Sequence, residues 1–177
     1  MATDYTRDEI DVVIDLIRSD NENKALSGVL VSFGNPNAFS PTEQINRNTL
    51  LIATAKPGYL YRGSQTFYYN RVPLDKFYEQ DVHDITFDEE GKRFISDILP
   101  ELNERLGINL TADKILDSRI PAIPENFAGV DVLVQVLPTS LVYLDSLLVR
   151  IGRSDNDLFK VIVDPEMDGL EYSPPVD

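Results

Sequence analysis

The sequence predicts an α+β fold: two tandem repeats, each a helix followed by a β-hairpin, packed together and closed by an irregular acidic C-terminal tail. Three observations predict it. Two stretches with helix-start chemistry, Thr6-Arg7-Asp8-Glu9 and Thr86-Phe87-Asp88-Glu89, stand eighty positions apart. Two pairs of strand-like runs, LLIATAKPGYLYRGSQTFYYNR at 50–71 and VLVQVLPTSLVYLDSLLVRIGR at 132–153, stand eighty-two apart. The order of helix, short helical turn and hairpin recurs in both halves, as expected of a unit that cannot bury its apolar face alone and packs on its copy. The boundaries are 1–80 for the first repeat, 81–163 for the second and 164–177 for the tail. The competing reading is one α+β domain in which these signals coincide.

Each helix start fits a capping box, in which the Thr hydroxyl takes an orphan amide and the Glu reaches back. The first helix then carries Ile10, Val13, Ile14 and Ile17 at helical spacing; the second carries Phe94, Ile95, Ile98, Leu102 and Leu106 before Gly107, a natural left-handed helix end. Pro100 falls inside the second and predicts a kink. Short helical turns are expected at Ser40-Pro41-Thr42-Glu43 and at Thr111-Ala112-Asp113-Lys114, each leading into an Ile. The segment GVLVSF, residues 28–33, reads equally as a strand or as the last turns of a helix.

In the second hairpin Val132, Val134 and Val136, then Leu147, Val149 and Ile151, alternate with outward residues, the period of a half-buried strand pair. Moving back by eighty-two places Leu50, Ile52 and Thr54 with Gln65, Phe67 and Tyr69 on the equivalent face, and four positions match outright: Leu51, Tyr61, Ser64 and Arg71. The second half inserts SRIPAIPENFAG, whose prolines predict an exposed loop, and continues into a strand over 158–163. The tail, DPEMDGLEYSPPVD, has little to bury.

Composition narrows function. The 177 residues, 42% apolar, suffice for a core, and no uncharged apolar run is long enough to span a membrane. Acids at the amino terminus, where a secretory signal carries basic and apolar segments, predict folding in a cytoplasm. The absence of cysteine removes disulfides, thiolate metal sites and cysteine nucleophiles. A net charge of −14 repels phosphate backbones and anionic lipid, so direct nucleic-acid and membrane binding are not expected.

No constellation of catalytic or cofactor-binding residues emerges. His83, the one histidine, lies between acids on the inter-repeat linker with no nucleophile near it in sequence. Asp164-Pro165-Glu166-Met167-Asp168-Gly169 opens like a calcium loop, yet Pro175 stands where the bidentate Glu belongs. Asp155 and Asp157 read as turn residues, Ser64 and Ser146 as hairpin residues without a nucleophile elbow. No small-molecule, metal or cofactor site is expected.

The aromatic cluster around the first hairpin is more informative. Tyr68 and Tyr69 are strand neighbours and point to opposite faces, so at most one need lie in the core. Tyrosines displayed on a sheet anchor protein interfaces. The interface candidates are Tyr59, Tyr61, Tyr68 and Tyr69, joined by Tyr172 in the tail.

The helix, the segment ELNERLGINLTADKI, a proline-bearing loop and a hairpin with the character of YLYRGSQTFYYNRV together resemble units repeated in virion structural proteins of large tailed bacteriophages. The likeness covers most of residues 86–153 and, more loosely, 6–72, where GVLVSFGNPNAF departs from it. The resemblance implies assembly into a capsid, tail or baseplate beside other virion proteins, copies of this chain included, with localisation to the virion after synthesis in the host cytoplasm. It brings no active-site residues. The alternative is a soluble phage or bacterial regulatory protein that grips one protein partner with its aromatic sheet face.

Overall fold

A computed structural model describes residues 3–21, 26–59, 61–78, 86–124, 127 and 129–152. The expected strand at 158–163, the tail, His83 and Tyr172 lie outside them. The chain is mixed α+β, with helices α1 (Glu9–Asn21) and α2 (Leu99–Leu106) and strands in three sheets. In the first sheet β3 (Thr49–Ala55) is central: β4 (Ser64–Tyr69) pairs with one edge, and β1 (Val31–Phe33) and β2 (Asn37–Ala38) share the other. The second sheet pairs β5 (Val72–Pro73) in parallel with β8 (Tyr143–Leu144). In the third, β9 (Ser146–Gly152) lies between β6 (Thr86–Asp88), parallel to it, and β7 (Gly129–Gln135), antiparallel to it. One apolar cluster draws on both halves, with Val12, Val13, Ile17, Leu51, Tyr69 and Leu74 packed among residues such as Phe87, Ile98, Leu102 and Val134.

The first helix forms where its apolar stripe predicts, but its start is chemically different. Asp8, not Thr6, caps it, its carboxylate accepting from the Ile10 amide at 2.8 Å, while Thr6 bonds Asp4. Val12 is buried and Ile10 is 43% exposed, which rotates the core stripe slightly. Glu9 does not reach back to the cap; it turns inward to the loop after β7.

The second expected helix start is a strand. Thr86–Asp88 pairs with Arg150–Gly152, and Phe87 between them is fully buried, because a short segment beside an open sheet edge gains ladder bonds and a core aromatic together. The helix begins later, through a 3₁₀ turn at Ile95–Ile98, and its start is satisfied from outside. Asp97 accepts the Arg93 and Phe94 amides at 2.7 and 2.8 Å, and Asp117 accepts the Ser96 amide and hydroxyl at 2.8 Å each. Pro100 therefore stands in the first turn of α2, where its missing N–H costs nothing and no kink follows. Gly107 ends the helix at φ 63°, as expected.

Of the short turns, Ala112–Lys114 is a 3₁₀ turn as predicted, whereas Ser40–Glu43 is not helical: Thr42 closes a local turn by accepting the Ile45 amide at 3.1 Å. GVLVSF resolves into a turn followed by β1. The inserted segment is less exposed than its prolines suggested, since Ile120 and Ile123 are buried and the Ile120 amide bonds the Arg93 carbonyl at 2.8 Å.

Both hairpins form, and the second buries the alternation expected of it. In the first, the β3 face is the opposite one: Thr49, Leu51 and Ala53 are buried, while Ile52 is 43% exposed. Their partners are Tyr69, Phe67 and Gln65, so the β4 face is the expected one and the β3 face is displaced from expectation by one residue. Phe67 moved by eighty-two is Val149, but Val149 pairs with Val132, eighty-one from Leu51. A one-residue difference in register exchanges a strand's two faces. The third strands also attach differently, β1 and β2 to the first strand of their hairpin and β6 to the second of its own.

The halves meet at the loop between β7 and β8. The Ser140 hydroxyl donates to Glu9 Oε1 at 2.6 Å and the Leu141 amide to Glu9 Oε2 at 2.7 Å; the Ser140 oxygen in turn accepts the Tyr143 amide at 3.0 Å. The loop's carbonyls are taken from the other side. Tyr69 donates to Leu141 at 2.5 Å, Arg71 to Pro138 and Ser140 at 3.3 and 3.2 Å, and the Val72 amide to Val142 at 2.9 Å. Glu9 and Ser140 are 6% and 0% exposed, so these groups exchange water for one another and would be left unsatisfied if the halves parted. Burial pushes the Glu9 carboxyl above its ordinary value against the opposing hydrogen bonds, and pushes the Tyr143 phenol up to about 12.

Two outcomes follow from this packing. A Cβ on Gly129 would stand 2.5 Å from the Ile151 carbonyl oxygen, so Gly129→Ala should cost about 1–3 kcal/mol by urea unfolding; an unchanged midpoint contradicts the β7–β9 approach. Because the folded state holds the Glu9 proton more readily than the unfolded state, the stabilisation linked to that proton is full below the ordinary value of 4.5. It declines as pH rises through the folded pKa. Glu9→Gln cannot titrate, so its unfolding free energy relative to the natural chain should improve as pH rises from 4.5 through the folded pKa of Glu9 and then level off; a gap independent of pH would contradict the burial of an ionisable Glu9.

Candidate functional site

The side of β4 that turns away from β3 brings together two of the aromatic candidates, Tyr61 and Tyr68. Register fixes which groups are free to bond. The Ala55 amide bonds the Gly63 carbonyl at 3.0 Å, and with the alternation of an antiparallel pair this assigns the main-chain groups of Gln65, Phe67 and Tyr69 to β3. The amides and carbonyls of Ser64, Thr66 and Tyr68 point outward. Among the described residues no strand pairs with them; the Gln65 side chain touches the Thr66 carbonyl at 3.2 Å.

A groove of about 800 Å³ runs along this edge. Gln65–Tyr68 and Tyr61 line it together with Ile17, Leu26 and Gln44–Arg47. The α1 stripe supplies Ile17, and Ile45 and Arg47 come from the turn that Thr42 closes and the residues just after it. Among the described lining residues Arg47 is the one formally charged side chain, in a chain of net charge −14.

The five sequence candidates separate clearly. Tyr59, Tyr61 and Tyr68 are 47%, 37% and 39% exposed. Tyr68 is steadied by an edge-to-face contact with Phe39, ring centroids 4.8 Å apart, which holds an exposed aromatic in one orientation. Tyr69 is corrected: it is buried, its hydroxyl is spent on Leu141, and burial raises its pKa, so it belongs to the joint between halves and not to a contact surface. Tyr172 lies outside the described residues. Sequence reasoning missed Phe39, Ile45 and Arg47, which lie outside the hairpin that carries the aromatic cluster.

A second cleft, of about 380 Å³, opens beside Glu9 and is lined by Asp8, Asn35, Asn109, Asp113 and Lys114 among others. Two of its acids are tuned in opposite directions: burial raises Glu9, while the Thr111 hydroxyl at 2.6 Å holds Asp113 below the usual carboxylate range. Both Glu9 oxygens already accept bonds from the loop, so that carboxylate is committed to structure. Among the described residues no group of three or more His, Cys, Asp or Glu side chains is placed to hold a metal ion, and no helix is long and apolar enough to cross a membrane.

What the fold and groove define is a small α+β protein in which the outer, aromatic edge of β4 is unpaired among the described residues. The chain belongs to DUF7941, a family of unknown function, which matches residues 2–176. No curated protein and no solved structure matches it.

The two adjacent tyrosines give a direct check on this geometry. Tyr69→Phe leaves the Leu141 carbonyl without its donor and should cost about 1–3 kcal/mol, whereas Tyr61→Ser and Tyr68→Ser should each stay within about 1 kcal/mol of the natural chain in urea unfolding. Equal losses at Tyr68 and Tyr69 would contradict the assignment of faces.

Proposed function

We propose that this chain is a structural component of a bacteriophage particle, in capsid, tail or baseplate, acting through protein–protein contacts and without catalysis. The observation that carries the proposal is the uncharged outer edge of β4, which displays Tyr68 beside a groove that Tyr61, Ile17, Leu26 and Ile45 also line. A strand edge of this kind is a template for another chain, and aromatic side chains supply contact area at low entropic cost. The charge of −14 supports partners that are proteins and not nucleic acid or membrane. The likeness of residues 86–153 to repeated units of virion proteins supports the particle assignment.

The tandem-repeat reading belongs to the same proposal. Its support is the order of helix and antiparallel hairpin in both halves, with third strands that differ between them. The concavity of the groove favours one further reading, a soluble regulatory protein that seats a single partner segment there. Copurification separates the two, since only the structural reading places the chain at a defined copy number in intact particles.

Mass spectrometry of purified particles and their subassemblies is therefore the test. Deleting residues 164–177 should leave the thermal midpoint nearly unchanged and reduce incorporation into particles. Absence of the chain from particles, together with capture of one soluble host protein, would overturn the structural reading in favour of the binder.

A further inference from the structure

The cleft of about 380 Å³ beside Glu9 is where residues 8–10, 33–35, 109–114 and 139–141 meet. These segments lie far apart in the sequence, so no local motif announces the meeting. Each is fixed by hydrogen bonds of its own. Glu9 holds Ser140 and Leu141, and with them the neighbouring Thr139. The Asn103 side chain binds both main-chain groups of Leu110, at 2.9 Å each, and the Tyr143 hydroxyl accepts the Asn109 amide at 3.3 Å. The Gly34 amide bonds the Ile52 carbonyl at 2.9 Å and thereby places Asn35. A cleft built in this way needs little further ordering to receive a ligand.

Three of its polar side chains are left over. Among the described residues the side-chain amides of Asn35 and Asn109 and the hydroxyl of Thr139 bond no protein group. An amide and a hydroxyl each donate and accept, so an occupant must do both at several points to match the water it displaces. Charge narrows the class further. Asp8, Glu9 and Asp113 set carboxyl groups on the cleft against Lys114, whose ammonium stands 3.4 Å from Asp113 Oδ2, so an anion is repelled. The carboxyls are equally unready for a cation. Asp8 accepts the Ile10 amide, Glu9 accepts from the loop and Asp113 accepts the Thr111 hydroxyl. A wholly apolar occupant would strand both free amides.

The lining also has apolar surface, from Ile10, 43% exposed, and from half-buried Phe33. An uncharged ring that carries several hydroxyls and an apolar C–H face meets all of these requirements, and those are the features of a sugar. The volume lies at the small end of ligand pockets, about 300–1,000 Å³, which suits a ligand of one or two rings.

We propose that the cleft beside Glu9 binds a neutral mono- or disaccharide unit, with Asn35, Asn109 and Thr139 bonding its hydroxyls and Ile10 and Phe33 meeting its C–H face. This goes beyond the contact surface on β4 and does not depend on it. Because the cleft is assembled from both halves, its ligand stabilises the folded chain as a whole.

The test titrates the full-length chain with glucose, galactose, mannose, N-acetylglucosamine, maltose and lactose, by calorimetry and saturation-transfer NMR, with inorganic phosphate and spermidine as charged competitors. At least one sugar should bind with a Kd of about 1 mM or tighter and raise the thermal midpoint, and neither competitor should displace it. Asn35→Ala and Asn109→Ala should each weaken binding at least about tenfold, with thermal midpoints near that of the natural chain, since those side chains bond no protein group. Thr139→Val gives the same readout should either variant not fold. Tyr68→Ser, away from the cleft, should leave the affinity unchanged.

Failure of every one of these sugars to bind overturns the proposal, and a cleft already filled by the chain's own residues would read in that way. Affinity that survives both asparagine variants overturns it too, as does affinity lost through Tyr68→Ser, which would put the sugar on β4. Displacement by phosphate or spermidine would assign the cleft to a charged ligand and count equally against it. None of these outcomes bears on the particle assignment, which copurification decides.

Discussion

A carboxylate buried in someone else's loop is the constraint around which this fold is arranged. Glu9 leaves the first turn of α1 and accepts hydrogen bonds from Ser140 and Leu141, more than a hundred residues away, at 2.6 and 2.7 Å. Tyr69, Arg71 and Val72 take the same loop by its carbonyls. A charge out of water is tolerated only with this degree of satisfaction, and removing one partner leaves the others uncompensated. The loop thus has one conformation because both halves of the chain specify it.

The joint also explains why the outer surface looks as it does. β4 serves two purposes through consecutive residues. Tyr69 faces inward and fixes the strand to the second half, and Tyr68 faces outward at the edge, held by Phe39. A strand anchored on one side offers its other side without the entropy loss that a mobile edge would suffer on binding, which is the physical basis for reading this edge as a contact surface.

Much of this was legible in the residues, and the failures have identifiable causes. The second hairpin could be read because Val132, Val134 and Val136 alternate with residues of different character, and Gly107 because a left-handed helix end favours glycine. The first hairpin lost its phase because Leu50, Leu51 and Ile52 are all apolar, and only the partner face, carrying Tyr69, decides which one is buried. Thr86 to Glu89 carries the local chemistry of a helix start, yet the free edge of β9 outbid it for the backbone. Pairing of Glu9 with Ser140 leaves no local trace, since neither residue is unusual where it stands. The opposite orientations of Tyr68 and Tyr69 follow from strand geometry, whereas Ile45 and Arg47 reach the groove from a segment whose Ser-Pro-Thr-Glu pattern is that of a helix start and which folds as a turn.

If the joint makes the two halves one cooperative unit, native-state hydrogen exchange should report it. The slowest amides of β3 and of β7 and β9 should open with the same free energy, and Glu9→Ala should lower that value in both sheets by the same amount, about 2–4 kcal/mol. Loss of protection confined to the first sheet, with β7 and β9 unaffected, would contradict the account.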